Sequence, residues 1–138
     1  VVERARSAAE AAGNAATGFR AVQLPFNVRM ADAFTVEAHD DADGRTSALR
    51  FAHEAGLDVF TSASLVQGRL AEPGSMPDAV AAKLSGETAA QRAINFARSA
   101  PGVTCALVGT GSPEHVAENV GAGRHEPMGA EAFDAVFE

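Results

Sequence analysis

The sequence predicts an α/β fold in which parallel strands alternate with helices. Three observations carry this. Short apolar segments and amphipathic stretches follow one another in the order α–β–α–β–α–β–α. Each apolar segment is apolar nearly throughout rather than every second residue, as in strands covered on both faces. Glycine and proline punctuate the boundaries between segments. Short strands separated by helices pair in parallel and are covered by those same helices.

The first helix is expected over 2–16, VERARSAAEAAGNAA, from its alanines and other good helix formers, with Gly13-Asn14 marking its end. RAVQLPF (20–26) reads as a short buried strand that Pro25 terminates, and Arg20 is expected at its rim. Residues 29–45 are weakly patterned and finish in the acidic turn DDADGR, so they read as loop with occasional helical turns. TSALRFAHEAG (46–56) carries Ala48, Phe51, Ala52 and Ala55 on one helical face and Gly56 as a stop. LDVFTSA (57–63) is the second strand, and SLVQGRLAEPGSMPD is a long loop after it. Helical spacing resumes near Pro77. In ETAAQRAINFARSA (87–100), Ala90, Ala93, Ile94 and Ala97 face inward, with Thr88 and Gln91 as a capping box. VTCALVG (103–109) is the third strand, and helices starting at Pro113 and Gly129 close the chain.

The 138 residues suffice for one domain, 1–138, with a sizeable core. A net charge of −7, with Lys83 the only lysine and the arginines dispersed, opposes binding to nucleic acid or anionic lipid. No apolar run approaches the ~20 residues needed to cross a bilayer. The lone Cys105 excludes an internal disulfide framework and suits a reducing cytoplasm. Its place in mid-strand suggests inert packing. His39, His53, His115 and His125 show no metal-ligand spacing. The chain begins with Val1 rather than Met, which suggests a piece of a longer polypeptide.

Three places can carry function. In LVGTGSPEHVAENV (107–120), Ser112 caps a helix and Pro113 takes its first position. Gly109 and Gly111 there leave bare backbone at the positive end of that helix, where anions are favoured. A plain βα turn reads the same way. FTSASLVQGRL (60–70) places three hydroxyls and Gln67-Gly68 past the second strand, where ligands sit in parallel α/β folds. The alternative is a turn whose serines satisfy local backbone. Gln23 interrupts the first apolar strand, and a buried amide must find partners.

Taken together, VQLPFN (22–27), GLDVFTSASLVQGRL (56–70) and AAQRAINFARSAPGVTCALVGTGSPEHVAENV (89–120) resemble the sixth to eighth strands of aldo-keto reductases. These are nicotinamide-dependent oxidoreductases built on a (β/α)8 barrel. The resemblance implies that this chain is a partial (β/α)8 TIM barrel, about half of one. It implies an activity for the intact barrel: hydride transfer between NADP or NAD and an aldehyde or ketone. It places Gly109, Thr110, Gly111, Ser112 and His115 around the adenosine ribose or its phosphate, and Glu118 and Asn119 against the adenine. It matches Leu65 and Gly68 to the pyrophosphate loop and Gln23 to the nicotinamide carboxamide.

The departures matter. Ser62 stands where the family commonly stacks an aromatic ring on the nicotinamide, and a hydroxyl has no ring face. Gly109, Gly111 and His115 stand where basic residues commonly grip the 2′-phosphate, which points toward NAD or weak binding. The family's catalytic tyrosine has no counterpart, because the chain contains no Tyr. Three readings stay open: the cofactor-binding part of a barrel enzyme, a non-catalytic nucleotide-binding or regulatory module (or degenerate relic), and an unrelated small α/β module. A barrel part should expose apolar strand edges, and would self-associate or pair with the missing half-barrel. The barrel reading requires parallel strands, with loops 60–70 and 109–119 opening at the same end.

Overall fold

The computed structural model describes residues 1–41 and 44–137. The middle of the acidic turn, Ala42-Asp43, lies outside the described residues.

Helix α1 spans Val2–Ala11 and buries only Val2. It is shorter than its composition suggests, because Gly13 takes φ +75° two residues after its end and turns the chain away. Strand β1 is Ala21–Pro25. After it come a short helix α2, Asp32–Thr35, and an antiparallel hairpin of β2, Glu37–Asp41, and β3, Gly44–Ser47. The hairpin corrects the expectation of loop over 29–45. Acidic and polar residues hide its strands, which lack an apolar alternation. It is held by tertiary contacts: Thr46 and Ser47 are buried, and His39 stacks on Phe51 at 5.3 Å.

Helix α3, Ala48–Glu54, starts at Ser47, whose hydroxyl accepts the Arg50 N–H. It ends at Gly56 with φ +72°, and the Gly56 and Leu57 N–H groups return to the last turn. Leu49 and Ala52 are its buried residues. Strand β4 is Asp58–Ser62, and a short helix α4, Asp78–Ala81, follows the long loop. Helix α5, Ala89–Ser99, is the axis of the core. Ala90, Ala93, Ile94 and Ala97 are buried as their spacing predicts, and Phe96 joins them. Thr88 caps α5 by accepting the Gln91 N–H, but the Gln91 side chain does not reach back to Thr88 as a capping box requires. Strand β5 is reduced to Cys105–Ala106, and α6, Pro113–Gly121, and α7, Ala130–Asp134, complete the order.

The three apolar strands form one parallel sheet in the order β1-β4-β5. Gln23 lies opposite Phe60, and Phe60 opposite Cys105; Leu24 lies opposite Thr61, and Thr61 opposite Ala106. Side chains alternate across a strand, so each row shares a face. The face of Val22, Leu24, Val59, Thr61 and Ala106 packs on the helices. Just past β1, Phe26 stacks on Phe96 at 5.4 Å, and Phe133 approaches Phe96 at 5.0 Å. Those three rings are completely buried. The face of Gln23, Phe60 and Cys105 lies outside this core.

Two expectations are thereby corrected. The Gln23 amide is exposed, so it makes no demand for an internal partner, and Cys105 is exposed rather than packed. Both residues fall on the sheet face that no helix among the described residues covers.

Candidate functional site

The loops after β4 and after β5 emerge from the same end of a parallel sheet. Between them lies a cavity of about 360 Å³, within the usual range of small-molecule sites of roughly 300–1,000 Å³. Residues 63–68 form one wall, Leu107, Val108, Gly109 and Thr110 another, and His115, Glu118 and Asn119 of α6 a third. The structure thus brings together Leu65, Gly68, Gly109, Thr110, His115, Glu118 and Asn119 of the residues singled out from sequence. Gly111 and Ser112 adjoin this set in the chain without lining the cavity. Gln23 and Ser62 sit on the exposed sheet face, in register with Phe60 and Pro25 respectively, and do not line it either.

The first wall is a strained turn. Ala63, Val66 and Gln67 have φ of 58°, 49° and 56°, and Gly68 follows at 88°. The left-handed region costs an L-residue about 1–2 kcal/mol, and for a β-branched valine it is a true outlier. The turn is held by its own bonds, Val66 N–H to Ala63 O at 3.0 Å and Leu70 N–H to Leu65 O at 3.0 Å, with Leu70 fully buried as the anchor. Among the described residues, the Gln67 and Gly68 N–H groups find no partner within the chain. Adjacent free N–H groups in a tight turn are suited to an anion. Such strain concentrates where a ligand is clamped.

Residues whose distant partners the sequence did not reveal hold the walls in place. Asn27, fully buried just past β1, donates from Nδ2 to Ala63 O at 3.0 Å, while its Oδ1 accepts the Arg29 and Met30 N–H groups. Ser64, also buried, donates to Leu107 O at 3.2 Å and so ties the two loops together. This serine satisfies backbone as the plain-turn reading expects, but the backbone belongs to the neighbouring loop. Buried Gln91 fixes α6. Its Oε1 accepts the Glu87 N–H at 2.9 Å and its Nε2 donates to Glu118 O at 3.1 Å. Gly121 makes room for that amide, since a Cβ there would stand 2.6 Å from Nε2. The signal for these three was polarity inside apolar stretches, which does not say where the partner lies.

The turn into α6 is capped as expected: Ser112 accepts the His115 N–H and Pro113 takes the first position. Glu114 adds something. Its carboxylate accepts the Ser112 hydroxyl at 2.5 Å, and this bond, aided by its own backbone N–H, lowers its pKa below the usual carboxylate value. Gly109 and Gly111 are not at positive φ, and a Cβ on either would meet nothing. Neither backbone conformation nor packing calls for glycine at these two positions, so the space above them is free for a ligand atom. Lys83, the only lysine, donates to Ala135 O and tethers the chain's end.

The sequence matches no protein-family model and no curated protein. A solved structure does match: an aldo-keto reductase from Bacillus halodurans, AKR11C1, in its holo form, at 16% identity and a TM-score of 0.60. The match covers 88% of this chain but only 42% of that protein. At this identity the likeness concerns fold. Parallel strands alternating with helices, with both loops at one end, are the architecture of part of an aldo-keto reductase-like (β/α)8 barrel.

Proposed function

We propose that this chain is the nucleotide-binding part of an aldo-keto reductase-like oxidoreductase. The observation that carries the reading is the cavity between the 63–68 turn and the 107–119 segment. Strained backbone, free N–H groups and Gly109, which neither backbone conformation nor packing requires, converge there, with Gly111 close by in the chain. The cavity's size and lining fit the adenosine end of NAD or NADP. Leu65, Val66 and Ala90 offer apolar surface, and Thr110, Glu118 and Asn119 offer hydrogen-bonding groups. The Gln67 and Gly68 N–H groups would hold a phosphate oxygen, and bare backbone at Gly109 and Gly111 would admit close approach. Gln23 and Ser62, on the open sheet face, would meet the nicotinamide end. When bound, the cofactor would supply a hydride to the carbonyl carbon of an aldehyde or ketone.

The acid that such chemistry needs is not a tyrosine of this chain, which has none. Another part of a complete barrel, pairing against the exposed face of β1, β4 and β5, would supply it. Self-association over the same face is the other way to cover it. The reducing cytoplasm suits the exposed, unpaired Cys105. A non-catalytic nucleotide-binding module is favoured by one observation, that Ser62 puts no ring where a nicotinamide would stack.

Calorimetric titration of the 138-residue chain with NADH, NADPH and AMP tests the reading. Saturable binding is expected for at least one of them, weakened by Gly109→Ala or Gly111→Ala without loss of thermal stability. Failure of all three ligands at millimolar concentration sinks the proposal. Carbonyl reduction by the chain alone is not expected. Turnover appearing only with a complementary half would favour the enzyme over the non-catalytic module.

A further inference from the structure

A second cavity, of about 410 Å³, is lined by the β2-β3 hairpin, α2, α3, the turn after α5 and α7. It shares no lining residue with the cavity between the two loops. Its volume is that of a small-molecule site, and its lining carries charges of both signs. Arg45 of β3 and Arg50 and His53 of α3 contribute from one side of the ledger of charge, Glu37 of β2 and Asp134 of α7 from the other. Phe34 and Pro101 add apolar surface. Gly102, at φ +87°, lets the turn after α5 close on α3, since a Cβ there would stand 3.0 Å from the His53 Cβ.

Two of these residues keep hydrogen-bonding capacity that the fold does not use. Arg45 is held by backbone: its Nε and Nη2 both donate to Glu37 O, at 3.0 and 2.7 Å. Among the described residues it makes no ion pair, and its fork has donors to spare. Thr46, which also lines the cavity, is 3% exposed, and its hydroxyl finds no partner among the described residues. A buried hydroxyl left unpaired is costly, which makes it a candidate ligand contact. Asp134 likewise makes no ion pair among the described residues.

From these groups we infer that this second cavity binds an α-amino acid with an apolar side chain. The carboxylate is received by Arg45 and the Thr46 hydroxyl, the ammonium by Asp134, and the side chain lies against Phe34 and Pro101. A simple anion would meet the carboxylates of Glu37 and Asp134, and a simple amine would meet the guanidinium groups. A zwitterion finds a charge-assisted partner for each end. It also carries no net charge, so the chain's −7 does not repel it at range.

The test titrates L-leucine, L-methionine and L-phenylalanine into the chain by calorimetry, with circular dichroism as the folding control for variants. The amide and the deaminated acid of the tightest binder follow, each lacking one charged end. Saturable binding of at least one amino acid is expected, about tenfold weaker for either incomplete analogue. Arg45→Gln and Asp134→Asn should each weaken the amino acid by a similar factor. Thr46→Val keeps the side chain's shape and removes the unpaired hydroxyl. It should hold or raise thermal stability while weakening the amino acid severalfold, whereas a hydroxyl with no ligand would leave affinity unmoved. Absence of binding by all three amino acids at millimolar concentration overturns the inference. So does an incomplete analogue that binds as tightly as its parent, or an affinity that the Arg45, Asp134 and Thr46 variants leave unchanged. Because the two cavities share no lining residue, such a failure leaves the nucleotide reading standing.

Discussion

On one face of the β1-β4-β5 sheet, Val59 and Thr61 lie fully buried, and Phe26 just past β1 is stacked on Phe96. On the other, built from the same strands, Gln23 and Cys105 are exposed and Leu107 is 40% exposed. Local sequence hardly separates the two, for both contain apolar residues in near-continuous runs. The difference is one of company: α5 and α7 cover the first face and no described element covers the second. The strands therefore carry a two-sided apolar pattern while being covered on one side. Loops from the end of that half-covered sheet build the cavity, whose geometry is set from the sealed side by Asn27, Ser64 and Gln91.

The largest test of this asymmetry is a pair of truncations followed by urea unfolding. Phe96→Ala empties the sealed face and is expected to cost ~3–5 kcal/mol. Phe60→Ala, on the open face, should cost about 1 kcal/mol or less. Equal losses would mean that the faces do not differ in the way described.

Next in size is Gly121→Ala. Its Cβ would force the Gln91 amide aside and leave Glu118 O without its donor, for a loss of ~1–3 kcal/mol. Nucleotide binding should weaken alongside, since Glu118 and Asn119 shift with α6. Unaltered stability together with unaltered binding would remove Gln91 from its positioning role.

Cys105 then reports on the open face without mutation. Its thiol should react with a disulfide reagent in the native chain at a rate within a few-fold of the unfolded chain. A complementary half-barrel, or a second copy at high concentration, should slow it if either covers that face. A thiol protected in the dilute monomer would contradict its exposure.

The smallest effect concerns pH. Glu114 has its pKa depressed on folding by the Ser112 hydroxyl, so its contribution is present above the unfolded carboxylate pKa and is lost as pH falls through the lower folded value. α6 should lose a little helicity in that acid window, and Ser112→Ala should abolish the dependence. Following the α6 amide signals by NMR through an acid titration checks both.

Much of the architecture was legible beforehand. The three strands, the inward face of α5 and the Ser112-Pro113 start of α6 follow from periodicity and capping chemistry, which act within one turn or one strand. The β2-β3 hairpin was not legible, because its residues give no alternation and its support comes from α3. Gln23 and Cys105 looked buried since a strand's sequence does not reveal which of its faces another element will cover. Around the cavity, the glycines and the cap marked Gly109, Gly111 and Ser112, and only the resemblance pointed to Thr110 and His115; of these five, Gly109, Thr110 and His115 line it. Gln91 showed only its nearby role, and Asn27 none.

The amino-acid order alone determined what depends on near neighbours: which segments coil, which extend, where helices begin, and that the chain has no tyrosine. Only the tertiary structure decided which polar groups meet across distance, as Asn27 meets Ala63, Ser64 meets Leu107 and Gln91 meets Glu118. The physical reason is range. Propensities and caps are settled by atoms a few residues apart, whereas burial and long-range hydrogen bonds depend on which surfaces the folded chain brings into contact.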